Sequence, residues 1–495
     1  MNNTSYNNLF FIGLFGLVLF FAFFKMGSTP LLDAVESRNG VNAVEMLESG
    51  DFINLSYGDQ MDVWQAKPPL SIWLTAASFS VFGYNPFALR FPMALATFFL
   101  FIFLYRLIRL YQNADFAFFS CLILLSVKGL VGRHIENLGE YDAIFTCFAV
   151  AGTYYFLKYY DFHKQQAIYW SAFCFGLSFL SKGFGVLVFL FGLMAYMMMR
   201  RQFIKYIIQR RFLFSVLLFS LFPLLWLWMN NWSISTTFKA NFHQDFLSYT
   251  IQFGDRNLLL FFNYLAQQFE WWHYLFYLSI PIGFYLVYIN KNSLETNFTT
   301  SLSTYEPTRQ LPKNREFTIG DLLSRNDLKP NIQLLLFSIC IWVVLGIVCT
   351  ISQNEQYLAF ALPFLAITTA ATIFYLNHRY EWFRYIFIAL LAFTFWGQLD
   401  YYVKNQHYPT AIIKNEDVLQ NVTSLACDSD LPTQNVFLYL RFLQPNLKII
   451  NSEDQTSELV FCRIENQKKY GNRKIVYQNG TYALLILNEE SKVKM

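Results

Sequence analysis

Long runs of apolar residues with no charge in them decide the class of this chain. Phe10 to Phe24, Phe91 to Tyr105, Phe116 to Val127, Phe184 to Met199, Phe212 to Met229 and Leu334 to Ile351 are such runs. A bilayer core takes roughly 20 apolar residues to cross as a helix, and these runs reach that length alone or through Trp, Tyr and Ser flanks. Lipid offers no water to backbone N–H and C=O groups, so the runs are predicted to be helices that satisfy their own hydrogen bonds. Charged residues make up only 14% of the 495 positions, against about a quarter in soluble domains. Such a surface cannot be wetted all round, and the fold class predicted is an all-α polytopic membrane protein.

Spans are predicted at 8–27, 69–80, 88–108, 115–131, 143–160, 167–181, 183–200, 212–230, 273–290, 332–351, 357–376 and 382–399. The segment 69–80 either crosses or lies half-buried at the interface, which gives about 11–13 transmembrane helices. The first run reads as an uncleaved span, because Lys25-Met26-Gly27-Ser28 makes a poor leader cleavage site. Arg106, Arg109, Lys158, Lys164, Arg200, Arg201, Lys205, Arg210, Arg211, Lys313, Arg315, Arg325, Arg379 and Arg384 all fall at span ends, in short connections or in the polar loop 291–331. Putting them on the cytoplasmic side satisfies the positive-inside rule. The N-terminus is then cytoplasmic, the loops 28–66, 131–142 and 231–272 lie outside, and residues 400–495 follow the last span of a 1–399 membrane domain on the outer side. The net charge of +4 is too small to suggest a nucleic-acid partner.

The tail changes character. Asn435 to Arg441, Leu447 to Ile450, Lys474 to Tyr477 and Tyr482 to Leu487 read as strands by alternation and β-branching, and Val418 to Ala426 reads as a helix. The expectation is a small C-terminal α/β extracytoplasmic (periplasmic) domain. Cys427 and Cys462 are the cysteines of this polar tail, and a disulfide between them is the expectation for an oxidising compartment, with two separate thiols as the alternative.

The first outer loop is the informative segment. Asp33, Glu36 and Arg38 crowd into six positions directly after a span. A helix running on to Met46 would put Asp33 and Glu36 on one face at i,i+3. Ionisable groups at a membrane surface are costly unless they are used, although a solvated loop helix whose charges face water accounts for them equally well.

Several motifs then occur in order. Glu36-x-Arg38 precedes Gly40-Val-Asn-Ala-Val-Glu-Met-Leu and Gly50-Asp51. Lys67-Pro68-Pro69-Leu70-x-x-Trp73-Leu74 and Phe82-Gly83-x-Asn85-x-Phe87-Ala88-x-Arg90-Phe91-Pro92 follow. Further on come Gly139-Glu140-Tyr141-Asp142-Ala143, Ser181-Lys182-Gly183, Asp245-Phe246-x-x-Tyr249 and Arg256. From about residue 10 to 365 the chain resembles the lipid-linked-sugar transferases of the C-type glycosyltransferase superfamily, and within them the bacterial aminoarabinose-transferase and protein-mannosyltransferase-like branch.

That resemblance implies the C-type glycosyltransferase fold in the bacterial inner membrane and an inverting transfer of a sugar from a polyprenyl-phosphate donor. The acceptor it implies is lipid A, a protein or a cell-envelope glycan. Negative charge develops on the leaving lipid phosphate, and lysine or arginine answers it by charge-assisted hydrogen bonds. Lys67, Arg256 and Arg38 are the candidates for that role. An acceptor hydroxyl needs a general base, for which Glu36, Asp33 and Asp142 are the candidates. Trp64, Arg133, Glu140 and Tyr141 are candidates to line the substrate.

The chain departs from the pattern in three places. Val35 stands where close relatives often carry an acid, Ala66 where metal-contacting relatives carry a glutamate, and Gln356 where many carry a lysine. With Ala66, and with only a His134-x-Glu136 pair nearby, no obligatory metal or other cofactor is expected. Two alternatives stand beside the transferase: a lipid or oligosaccharide transporter, and an inactive relative that only binds carrier lipid. Transporters place charges at mid-bilayer and often show repeats, whereas these charges cluster at the outer helix ends.

Overall fold

The computed structural model describes residues 3–24, 26–28, 31, 35–62, 67–127, 141–229, 259–269, 271–289, 332–352, 356–380, 382–404, 422–427, 434–451, 457–470, 473–478 and 482–486. Its helices are α1 (Asn3–Phe23), α2 (Val35–Ser49), α3 (Leu70–Phe82), α4 (Pro86–Arg109), α5 (Ala114–Leu125), α6 (Asp142–Tyr160), α7 (Ala167–Lys182) and α8 (Val186–Met199). They continue as α9 (Phe203–Ile207), α10 (Arg210–Met229), α11 (Leu259–Phe269), α12 (Trp272–Ile289), α13 (Ile332–Ser352), α14 (Gln356–Arg379) and α15 (Phe383–Lys404). Each predicted span contains a helix among the described residues. Among the described residues, four helical stretches are long and apolar enough to cross a bilayer: Pro86–Arg109, Ala167–Met199, Arg210–Met229 and Leu358–Asn377. Ala167–Met199 is two helices, because Gly183 at φ +68° reverses the chain where a residue with a Cβ is strained.

The chain divides into two compact units, one of residues 1–24, 94–137 and 141–401, the other of residues 25–93, 138–140 and 402–495. In the first unit, small residues let helices close on one another. Ser171 donates to the Gly152 carbonyl at 2.8 Å and Ser178 to the Phe145 carbonyl at 3.1 Å, a descending register that makes α6 and α7 antiparallel neighbours. A Cβ on Gly176 would stand 2.2 Å from the Phe222 ring of α10, and one on Gly192 would stand 2.5 Å from Ile341 of α13. At one end of α6, Asp161 accepts hydrogen bonds from Tyr111, from Tyr196 at 2.9 Å and from Arg200 at 3.1 Å. The connections that follow α4, α6 and α8 are thereby tied to one buried carboxylate.

In the second unit the tail forms a five-stranded sheet beside helix α16 (Gln434–Leu443). The strands are β1 (Ser424–Cys427), β2 (Lys448–Asn451), β3 (Leu459–Arg463), β4 (Lys474–Gln478) and β5 (Tyr482–Ile486), in the order β2-β1-β3-β5-β4. β1 runs parallel to β2 and β3, whereas β5 is antiparallel to β3 and β4. Three expectations for the tail are corrected. Residues 435–441 are helical: Val436 to Arg441 are buried without a break, and an unbroken apolar run carries no period to separate strand from helix. Ser424–Cys427 is a strand rather than part of a helix, with Leu425 and Ala426 buried between two neighbours. The two tail cysteines are free thiols. Cys427 lies opposite Phe461 in the parallel register, so Cys462, one residue on, points to the other sheet face with Ala426 and Val460. Burial pushes the Cys427 thiol up to about 12.

Candidate functional site

In the second unit α2 carries a row of polar residues, of which Glu36, Asn39, Asn42 and Glu45 are buried. Glu36, in its first turn, is fully buried. Arg90 of α4 grips it with Nε at 2.6 Å from one carboxylate oxygen and Nη2 at 3.0 Å from the other, while Nη1 donates to the Met26 carbonyl at 2.9 Å. This two-point fork fixes the guanidinium plane as well as its distance. Two residues on, Arg38 donates to Asp62 through Nε at 2.8 Å and Nη2 at 2.5 Å and lies 4.5 Å from the Tyr57 ring centre. Asn42, one turn further, donates to the same Asp62 at 3.0 Å. Glu45 closes the series by accepting from the Gly58 backbone N–H at 2.8 Å and from Arg441 of α16 at 2.8 Å.

Asp62 ends a tight hairpin. Ser56 and Met61 form an antiparallel bridge, and the central residues Gly58 and Asp59 have φ of +69° and +59°. Two consecutive left-handed residues are the mark of a type I′ connection. Lys67 stands five positions after Asp62, half-buried, just before Pro68 and Pro69, with Pro69 immediately preceding α3. The prolines fix φ there and stiffen the lysine's approach to the helix.

In the first unit, Asp142 opens α6 and is buried. Lys182, the last residue of α7, donates from Nζ to Asp142 Oδ1 and lies 4.6 Å from the centre of the Phe360 ring. Each charge sits at the helix end whose dipole favours it, the carboxylate at an N-terminus and the ammonium at a C-terminus. The lysine side chain keeps 11% exposure, against 2% for the aspartate. Tyr141 is buried immediately before the helix.

Glu36 and Arg38 thus fall on one helix with partners from two elements, α4 and the hairpin, and Asp142 has a lysine partner to which sequence reading gave no role. The sequence signal for Lys182 is a basic residue closing an apolar helix just before glycine. Arg90 and Asp62 also carried no assignment, although an arginine inside an apolar helix is itself a functional flag. Asp33, Trp64, Arg133, His134, Glu136, Glu140, Asp245, Tyr249 and Arg256 lie outside the described residues. Among the described residues, no group of three or more His, Cys, Asp or Glu is placed to hold a metal ion.

Comparison with solved structures gives the architecture. ArnT from Cupriavidus metallidurans, bound to undecaprenyl phosphate, superposes over 98% of this chain and 98% of its own, with a TM-score of 0.68 at 12% identity. This chain shares the fold of ArnT. The archaeal oligosaccharyltransferase AglB from Archaeoglobus fulgidus, solved with an inhibitory peptide and a dolichol-phosphate, matches 94% of this chain and 70% of its own, with a TM-score of 0.55 at 9% identity. In sequence, the family described as dolichyl-phosphate-mannose-protein mannosyltransferase matches residues 66–228, from just before Lys67 to the end of α10. An uncharacterised protein of Aquifex aeolicus (strain VF5) is 25% identical over 155 residues, which is 31% of this chain and 30% of that protein. The chain therefore aligns with less than a third of that relative's length.

Proposed function

We propose that the protein is an inverting glycosyltransferase that moves a sugar from a polyprenyl-phosphate donor to an acceptor at the outer face of the inner membrane. The acceptor is lipid A, a protein or a cell-envelope glycan. The observation that carries this reading is the superposition along almost the whole chain on ArnT, a protein solved with undecaprenyl phosphate in place. The family match begins one residue before Lys67 and includes Asp142 and Lys182, which supports the same chemistry.

In this reading Lys67 meets the donor phosphate. A stiff Lys-Pro-Pro entry and a half-buried lysine suit a group that must pair with charge appearing on a leaving oxygen. Arg38 and Arg256 are its proposed helpers. Asp142 takes the acceptor proton and is held in place by Lys182; Asp33 is the other carboxylate proposed for that task. Glu36 stood with them in the sequence, and its fork with Arg90 suits it better to orienting that guanidinium. Tyr141, Trp64, Arg133 and Glu140 are proposed to line the substrate. No reaction step here is assigned to a metal.

The test is transfer of label from polyprenyl-phosphate sugars in membranes that contain the wild type or Lys67→Ala. Loss of one charge-assisted phosphate contact should cut turnover by about 100-fold. Equal transfer by the variant would remove Lys67 from the site. A wild type that binds polyprenyl phosphate but transfers nothing would leave the carrier-lipid binder as the better reading.

A further inference from the structure

Within the second unit, one arginine from the far end of the chain is built into the first outer loop. Arg441 of α16 is buried and spends its fork on two carboxylates: Nη2 lies 2.8 Å from Glu45 and 2.8 Å from Asp59. Nη1 donates to the Pro445 and Leu447 carbonyls at 2.8 and 2.9 Å, which anchors the guanidinium to its own segment. The two acceptors are 396 and 382 residues away in sequence, so only folding of the tail against the loop can bring the arginine there. Apolar contacts seat it: Leu438 occupies the space above Gly40, where a Cβ would stand 2.5 Å from it, and Phe437 meets Tyr57 edge to face.

What Arg441 holds is a strained turn. Asp59 has φ +59°, in the left-handed region that residues with a Cβ rarely adopt. Glu45 accepts the backbone N–H groups of both Gly58 and Asp59, at 2.8 and 3.3 Å, and Arg441 neutralises the two carboxylates that this turn brings together. The hairpin so fixed ends in Asp62, the partner of Arg38, and the chain reaches Lys67 five residues later.

We infer that Arg441 is a positioning residue for donor binding. Through Glu45 and the Gly58–Asp59 turn it sets the hairpin that carries Asp62 and leads to Lys67. The C-terminal segment is then part of the device that presents the donor-phosphate lysine. This rests on the proposed role of Lys67.

The experiment uses the full-length protein, with synthetic undecaprenyl-phosphate hexoses and pentoses as donors, comparing wild type, Arg441→Gln, Arg441→Lys and Asp59→Asn. Asn keeps the left-handed turn and removes only the charge of a residue that is 54% exposed, so this variant folds even if Arg441→Gln does not. The expected result is a donor KM raised about tenfold in Arg441→Gln and about threefold in Asp59→Asn, with kcat within about twofold and partial recovery in Arg441→Lys. Amide exchange in 55–62 should quicken in the same order. A KM and an exchange pattern unchanged in both Arg441→Gln and Asp59→Asn would overturn the positioning role, as would a fall in kcat at constant KM. If the wild type transfers from none of the donors, the transferase reading itself falls and takes this role with it.

Discussion

Glu36 and Asp142 are both buried carboxylates at the start of a helix, and they are held in opposite ways. Glu36 meets an arginine fork with neither partner exposed, at 2.6 and 3.0 Å, and the arginine is tied down again by a backbone carbonyl. Asp142 meets a lysine, a single charge on a flexible stem whose side chain keeps some exposure. Arginine gives a planar, preorganised contact, whereas lysine gives a movable point charge. The contrast teaches that a carboxylate in a motif can be a frame or a tool. The partner's chemistry separates the two where the carboxylate's own position in the sequence does not.

The largest effect expected from this contrast is at Asp142. Asp142→Asn keeps the side-chain shape and removes the proposed proton acceptor, so transfer should fall by about 10²–10⁴-fold, with a loss of thermal stability smaller than that at Glu36 because Lys182 keeps some exposure. Melting and label transfer on the same preparation check both halves. A variant that melts early and is inactive in proportion would make Asp142 another frame residue.

Next comes Glu36→Gln. It leaves the Arg90 guanidinium buried against a neutral amide, which should cost about 3–5 kcal/mol of stability. The expected reading is a clear drop in melting temperature with residual turnover per folded molecule retained. If Glu36→Gln melts like the wild type but transfers nothing, the assignments of the two carboxylates exchange.

The smallest effect is at Asp51, just after the end of α2. Hydrogen bonds from the Asn54 backbone and side chain and from the Ile53 N–H hold its carboxyl below the usual range, against a small opposing effect of burial. A carboxylate lowered on folding contributes stability above its unfolded value, and the contribution disappears as the pH falls through the folded value. Asp51→Asn should therefore lower neutral stability slightly, by the contribution the charge made, and flatten the acid limb of the melting profile below about pH 4. An acid limb identical to wild type would mean that the turn contributes nothing to acid stability.

The bundle was legible because lipid imposes one rule on every span: a charge-free run must be a helix. The tail was less so. Phe437 to Leu440 form an apolar run that fits strand and helix alike, and packing against α2 decides for helix. The disulfide failed for a reason no spacing reveals, since pairing Cys427 with Phe461 puts Cys462 on the opposite face. In the site, Glu36, Arg38, Lys67 and Asp142 stood out as charges near span ends. Their partners did not, because Arg90, Asp62 and Lys182 come from other segments and only three-dimensional proximity identifies them. Arg441 is the extreme case, a tail residue whose role depends on a loop almost 400 positions earlier.

The measurement that tests the central claim most directly is the coupled yield of one reaction, followed with purified full-length protein, a polyprenyl-phosphate sugar labelled in both sugar and lipid, and cell-envelope acceptors. The account predicts that label leaves the donor as one sugar on the acceptor for each polyprenyl phosphate released, with the anomeric configuration inverted. Donor that is bound, or moved across a vesicle membrane, with its sugar–phosphate bond intact would contradict it.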